Sequence, residues 1–173
     1  MITKHVFAGI LLELVALAGI LLLPLWLPGG LSLGAYVVFA QLTSTYLVHC
    51  PAHYVVGRAV GVRFRELRLG KTTLARALPN KLKGLARPLP ILTLVTDKSS
   101  IAKVSRRRLA VMYASGTVAS TVSAFAIAAA STLAEQPPFF LLTWAVGLAY
   151  LAFDLVFSPR TGDLRRARAV LEA

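Results

Sequence analysis

Apolar residues gather in four long runs, with most of the charge held between and after them. The first run covers about 6–27 and ends among Pro24 and Pro28; the second covers about 31–56 and carries Gln41, Thr43, Ser44, Thr45 and His49. The third, about 109–133, is rich in Ala, Ser, Thr and Gly, and the fourth covers about 139–157. A helix needs roughly 20 mostly apolar residues to cross a bilayer, so each run predicts one crossing. Pro28-Gly29-Gly30 and Glu135-Gln136-Pro137-Pro138 predict short turns, which join the runs into two helical hairpins. The expected fold class is an all-α polytopic membrane protein with four transmembrane helices, a single membrane domain over 1–173. The first run exceeds the roughly 7–15 apolar residues of a signal peptide and no clear small-residue cleavage site follows, so it is expected to be retained.

The pattern changes between the second and third runs. Residues 62–69 alternate apolar and charged, a period of two that suits a strand at the membrane surface. Residues 88–95 read as a second strand or a re-entrant stretch. Lys71 to Arg87 reads as a basic amphipathic segment lying on headgroups. The loop over 58–108 is therefore expected to hold one or two short β-strands.

Composition agrees with the bilayer as solvent: 57% of the 173 residues are apolar and the mean hydropathy is +0.70. A net charge of +12 would point to nucleic acid in a soluble chain. Here it reads as topogenic charge beside anionic lipid, with no nucleic-acid partner. Of 19 Lys and Arg, 14 lie in 58–108 and four follow Ser158, whereas the two turns have none. With four crossings, the 58–108 loop, both termini and the 158–173 tail share one side, and the positive-inside rule makes that side the cytoplasm of a cell membrane. Cys50 is the single cysteine, so no internal disulfide forms.

Gly70-Lys71-Thr72-Thr73 looks like the end of a phosphate-binding loop, but Arg65 stands where the first glycine belongs and the preceding strand is charged. A lipid-facing lysine is the better account. His49-Cys50-Pro51-Ala52-His53 carries more chemistry. Two histidines four apart share one helix face, about 6 Å apart in rise, and can grip one zinc ion; the plainer account is an interfacial pair bonded to neighbours. Asp163 lies just past the fourth run, at the same depth and side, and can complete a two-histidine, one-carboxylate site with an open position. Asp163 also suits the start of a helix over 164–171. Asp154 and Glu13, both inside apolar runs, are expensive to bury and so are functional suspects.

The order of these features resembles the site-2 protease family of intramembrane zinc metallopeptidases. Its His-Glu-x-x-His helix, continued by a Gly-Val turn into a strand, is similar to His49–His53 followed by Gly61-Val62-Arg63-Phe64. Its next helix opens with Ala-Gly-Pro-x-Ala-Asn; Ser115-Gly116-Thr117-Val118-Ala119-Ser120 keeps the glycine and alanine without the proline or asparagine. Its last core helix carries Asn, then Pro, then Asp-Gly; Asp154, Pro159 and Gly162-Asp163 resemble that series. The resemblance covers roughly 31–171. It implies zinc held by His49, His53 and Asp163, and substrate or partner proteins that are themselves transmembrane helices, beside membrane lipids.

One departure bears on activity. The family's glutamate is the general base that takes a proton from zinc-bound water, and here Cys50 holds its place. A thiol is shorter and near zinc tends to ionise or ligate, and general acid–base help is worth about 10²–10⁴ in rate. The resemblance therefore implies a zinc metalloendopeptidase-like homologue that lacks the usual proteolysis, a pseudoenzyme. The alternatives are an active intramembrane protease with an unusual base, for which Glu13 is the candidate, and an unrelated four-span membrane binding protein. Glu13 lies midway along its run, which matches a structural pairing with Gln41 or Thr43 better than the depth of His49. Pro51 removes one helix hydrogen bond, to the carbonyl of Leu47, and predicts a kink. Gly116, Ser120 and Ala124 form a small-residue stripe suited to close packing, within the chain or between chains. Nothing in the residues sets the oligomeric state.

Overall fold

The computed structural model describes residues 4–23, 31–71, 90–133 and 139–173. Helix α1 (Lys4–Leu22) is followed by α2 (Leu31–Leu47) and α3 (His49–Ala59), then strands β1 (Phe64–Lys71) and β2 (Pro90–Thr96). A short helix α4 (Lys98–Ile101) leads to the long α5 (Arg106–Leu133), α6 (Phe139–Thr161) and the terminal α7 (Asp163–Glu172). The fold is mostly helical with one two-stranded sheet. Both inter-run turns and the basic stretch after Lys71 lie outside the described residues.

Three helices are long and apolar enough to cross a membrane: within α1 over His5–Leu22, in α5 over Arg106–Thr132, and α6 over Phe139–Thr161. The second run is divided instead. Pro51 has no N–H for the Leu47 carbonyl, the helix breaks at Val48, and the ladder resumes where Ala52 N–H donates to Val48 O at 3.0 Å. The expected single crossing over 31–56 is thus a 17-residue helix and an 11-residue one.

The molecule is apolar outside and partly polar inside. Leu12, Val15, Leu141 and Leu155 are 60–70% exposed, whereas Gln41, Ser44, Ser120 and Thr143 are wholly buried. Lipid tails give helices no hydrophobic reason to associate, so interhelical hydrogen bonds and small residues do that work. Gln41 Nε2 donates to Ala124 O at 2.9 Å and to Thr143 O at 2.8 Å, tying α2 to α5 and α6. Ser123 Oγ donates to Ser44 Oγ at 3.0 Å, and Ser120 Oγ to Thr45 O at 2.6 Å. The small-residue stripe of α5 therefore packs within the chain.

The alternating stretch is a strand, as the period predicts, and its partner settles the alternatives for the second: β2 pairs antiparallel with β1, Leu67 opposite Leu94 and Leu69 opposite Leu92. Chain reversal out of α3 needs a left-handed residue, which Gly61 supplies at φ 96°. Val62 N–H then returns to Gly57 O at 2.8 Å, and Val62 and Phe64 enter the core with Val6, Ile10, Cys50, Leu109 and Met112. Gly70 and Lys71 belong to β1, and Thr72 and Thr73 lie outside the described residues. The sheet lies against α1: a Cβ at Gly9 would meet the Leu67 side chain.

Candidate metal centre

His49 opens α3 and His53 follows one turn later, their rings edge to face with centroids 4.8 Å apart. Asp163 comes from the far end of the chain. Gly162 lets it arrive, since a Cβ there would stand 3.0 Å from Ser158 Cα and Oγ. Ser158 Oγ accepts from Leu164 N–H at 3.2 Å, and α7 starts at Asp163, where a carboxylate suits the positive helix end.

The three side chains converge. His49 Nε2 and His53 Nε2 each lie 3.0 Å from the same oxygen, Asp163 Oδ2. One ligand atom from each residue falls within 4.8 Å of the others, so the group can hold a metal ion. A tetrahedral ion with bonds of about 2.1 Å would set its ligand atoms about 3.4 Å apart, close to what these contacts show.

The other ring nitrogens are already committed. His53 Nδ1 lies 2.7 Å from Met112 O, which can only accept. His49 Nδ1 lies 3.2 Å from Ser120 Oγ, whose own hydrogen goes to Thr45 O. Both Nδ1 atoms therefore carry hydrogen. Each Nε2 either bears a second proton, giving two imidazolium rings side by side on one carboxylate oxygen, or points a lone pair at that oxygen. A divalent cation among the three atoms satisfies the second arrangement in full, with Met112 O and Ser120 Oγ as the outer partners that metal-bound imidazoles ordinarily have. Without an ion, burial pushes the Asp163 carboxyl up, but hydrogen bonds and charge from protonated His49 and His53 outweigh it and hold the group well below the usual carboxylate range. Arg166 Nη1 stands 3.9 Å from Asp163 Oδ1.

Cys50 points elsewhere. Its buried thiol donates to Leu92 O at 3.2 Å, while Leu92 N–H donates to Tyr46 Oη at 3.3 Å, so α2 and α3 together grip the outer edge of β2. Cys50 is outside the metal-competent group. The triad opens into a cavity of about 330 Å³, also lined by Asp154, Tyr150 and the β2 residues Leu92 to Leu94. Asp154 accepts from Thr121 Oγ1 at 2.9 Å.

Glu13 is buried and pairs with neither expected partner: Gln41 donates to two carbonyls and Thr43 Oγ1 to Phe39 O at 2.8 Å. It lines a second cavity, of about 240 Å³, that His49 and Cys50 also border. The depth expected from its position along the first run therefore understates its proximity to the site. Met112 O and Tyr150 escape a reading of the residues; Ser120 was visible there in a small-residue stripe and at the asparagine place of the Ser115–Ser120 series, not as a partner of His49.

No family model, curated protein or solved structure matches the chain.

Proposed function

We propose that this chain is a site-2-protease-like integral membrane zinc protein that has lost the usual proteolysis. The convergence of two imidazole Nε2 atoms on one Asp163 oxygen, with both Nδ1 hydrogens already engaged, is the observation that carries the reading. Helices α1, α5 and α6 support the membrane setting. Lys and Arg crowding into 58–108 and after Ser158 supports a cytoplasmic placement for those segments, with lipids and transmembrane helices as partners.

His49, His53 and Asp163 would hold the ion, and zinc so held supplies a Lewis acid. The remaining chemistry needs a group that moves a proton. In His-Glu-x-x-His that group is the second residue, and here it is a thiol whose hydrogen is given to Leu92 O. Relay by this side chain would break its hold on β2.

Metal analysis of the purified protein tests the reading. Near-stoichiometric zinc, lost on His49→Ala and on Asp163→Ala, is the expected result; no bound metal in the unaltered chain refutes it. Cys50→Glu is then expected to cleave a helical test substrate that the unaltered chain leaves intact. Cleavage by the unaltered chain that Glu13→Gln abolishes would refute the loss and make Glu13 the base.

A further inference from the structure

Glu13 sits on α1 with 4% of its surface exposed, and neither carboxylate oxygen has a hydrogen-bond partner among the described residues. A buried carboxylate without a partner is strongly disfavoured. Protonation alone does not satisfy it, because the hydroxyl would need an acceptor and the carbonyl a donor. Glu13 is one of the residues that line the cavity of about 240 Å³, several times the space one water requires, with its oxygens buried behind that wall. No Lys or Arg among the described residues lines that cavity. What Glu13 lacks among the described residues is a cation with hydrogen atoms to donate.

The walls select the kind of cation. A second metal ion is a poor fit: the metal-competent group among the described residues excludes Glu13 and Cys50, and the thiol is engaged at Leu92 O. Tyr46 and Tyr150 instead bring two phenol rings to the cavity beside the carboxylate. A negative charge and phenol rings in the walls of one cavity are the chemistry that holds an ammonium group, through hydrogen bonds to the carboxylate and attraction to the rings.

We propose that this cavity binds a primary ammonium group, with Glu13 as its counter-charge. The amine belongs either to a small free molecule or to a polypeptide, as a lysine or an N-terminus. Because His49 and Cys50 border this cavity as well as the larger one, an amine seated at Glu13 directs the rest of its ligand toward His49, His53 and Asp163. That last placement rests on the metal reading; the binding itself does not.

The experiment is a calorimetric titration of propylammonium chloride into the full chain in detergent at pH 7, with 1-propanol as the uncharged isostere and sodium chloride matching ionic strength. Saturable binding of propylammonium, none of propanol, and a loss of about tenfold or more in Glu13→Gln are expected, the scale of removing a charged hydrogen-bond partner. Glu13→Asp keeps the charge and is expected to retain measurable binding. The zinc-stripped protein is expected to bind equally well, so failure of the metal site and failure of the amine site are read separately. Triglycine against N-acetyl-triglycine divides the sources: tighter binding of free triglycine than of propylammonium assigns a polypeptide amine, and the reverse assigns a small one. No saturable heat from any amine probe, an equal response to propanol, or undiminished affinity in Glu13→Gln overturns the proposal and leaves a water-filled cavity.

Discussion

Gly116→Ala should disable the proposed metal centre without replacing any of His49, His53 and Asp163 and without unfolding the protein. The new methyl would fall on the His53 imidazole, 2.7 Å from Cδ2 and 2.8 Å from Cε1. Carbon contacts are comfortable at about 3.5–4.0 Å, so the ring must retreat by roughly 1 Å. It cannot do so freely, because Nδ1 is held at Met112 O and Nε2 at Asp163. Losing the first bond costs about 0.5–1.5 kcal/mol. Replacing glycine by alanine inside α5 returns about 0.8–1.0 kcal/mol of helix propensity. Loosening the contact to Asp163 adds a further loss of up to about 1.5–3 kcal/mol, so the metal-free protein should be destabilised by a few kcal/mol at most and stay folded. Zinc affinity has no such compensation. Displacing the partner that orients a ligating imidazole costs about 10–100-fold, and here the ligand atom moves as well. A chelator competition in detergent reads the affinity and a thermal melt of stripped protein reads the fold. Gly19→Ala is the control, since a Cβ there meets nothing within 4 Å. Unchanged zinc affinity in Gly116→Ala, or an equal fall in Gly19→Ala, would refute the assignment of His53 as a ligand held by this contact.

Ser120→Ala removes the acceptor for His49 Nδ1 and should weaken zinc by about 10–100-fold in the same competition. Gln41→Leu breaks two interhelical bonds, each worth roughly 0.6 kcal/mol in a membrane bundle, but also removes Oε1, which has no partner among the described residues. The net loss should stay near 1 kcal/mol by unfolding in mixed micelles. Gly61→Ala puts a Cβ at φ 96° with only Val104 Cγ2 nearby, at 3.9 Å, so it should cost the roughly 1–2 kcal/mol of a left-handed residue and no more. A larger fall in its melting temperature than that energy allows would mean that the turn does more than reverse the chain.

Most helix positions, and the three residues that converge in the metal-competent group, were legible because they depend on residue type at short spacing. Two histidines four apart must share a face, and an aspartate after an apolar run must stand near its end. What depends on backbone atoms or distant packing was not legible. Met112 O orients His53, yet any residue has a carbonyl. The division of the second run follows from Pro51, but a kink inside one crossing and a break between two helices begin from the same missing bond. Depth along a helix misjudged Glu13 because the sheet leans on α1 at Gly9 and brings Leu92 to the cavity wall where Glu13 stands. That contact joins residues far apart in the chain, and periodicity is blind to it.

The distribution of carboxylates links the two cavities. The chain has seven Asp and Glu against 19 Lys and Arg. Outside the helix bundle, Glu66, Asp97 and Glu172 each pair with an arginine, respectively Arg68, Arg65 and Arg168. Glu13, Asp154 and Asp163 face the cavities instead, and of these only Asp163 has an arginine near, at 3.9 Å. Basic residues are abundant enough to neutralise all three, and charge inside a bundle is costly enough that an idle carboxylate would be an expensive feature to keep. Among the described residues, the negative charge is placed where no lysine or arginine except Arg166 lines the cavity walls. The proposed divalent ion at Asp163 and the proposed ammonium at Glu13 would supply what those walls lack, and His49 and Cys50, which border both cavities, would make the two sites one binding region with two cationic positions.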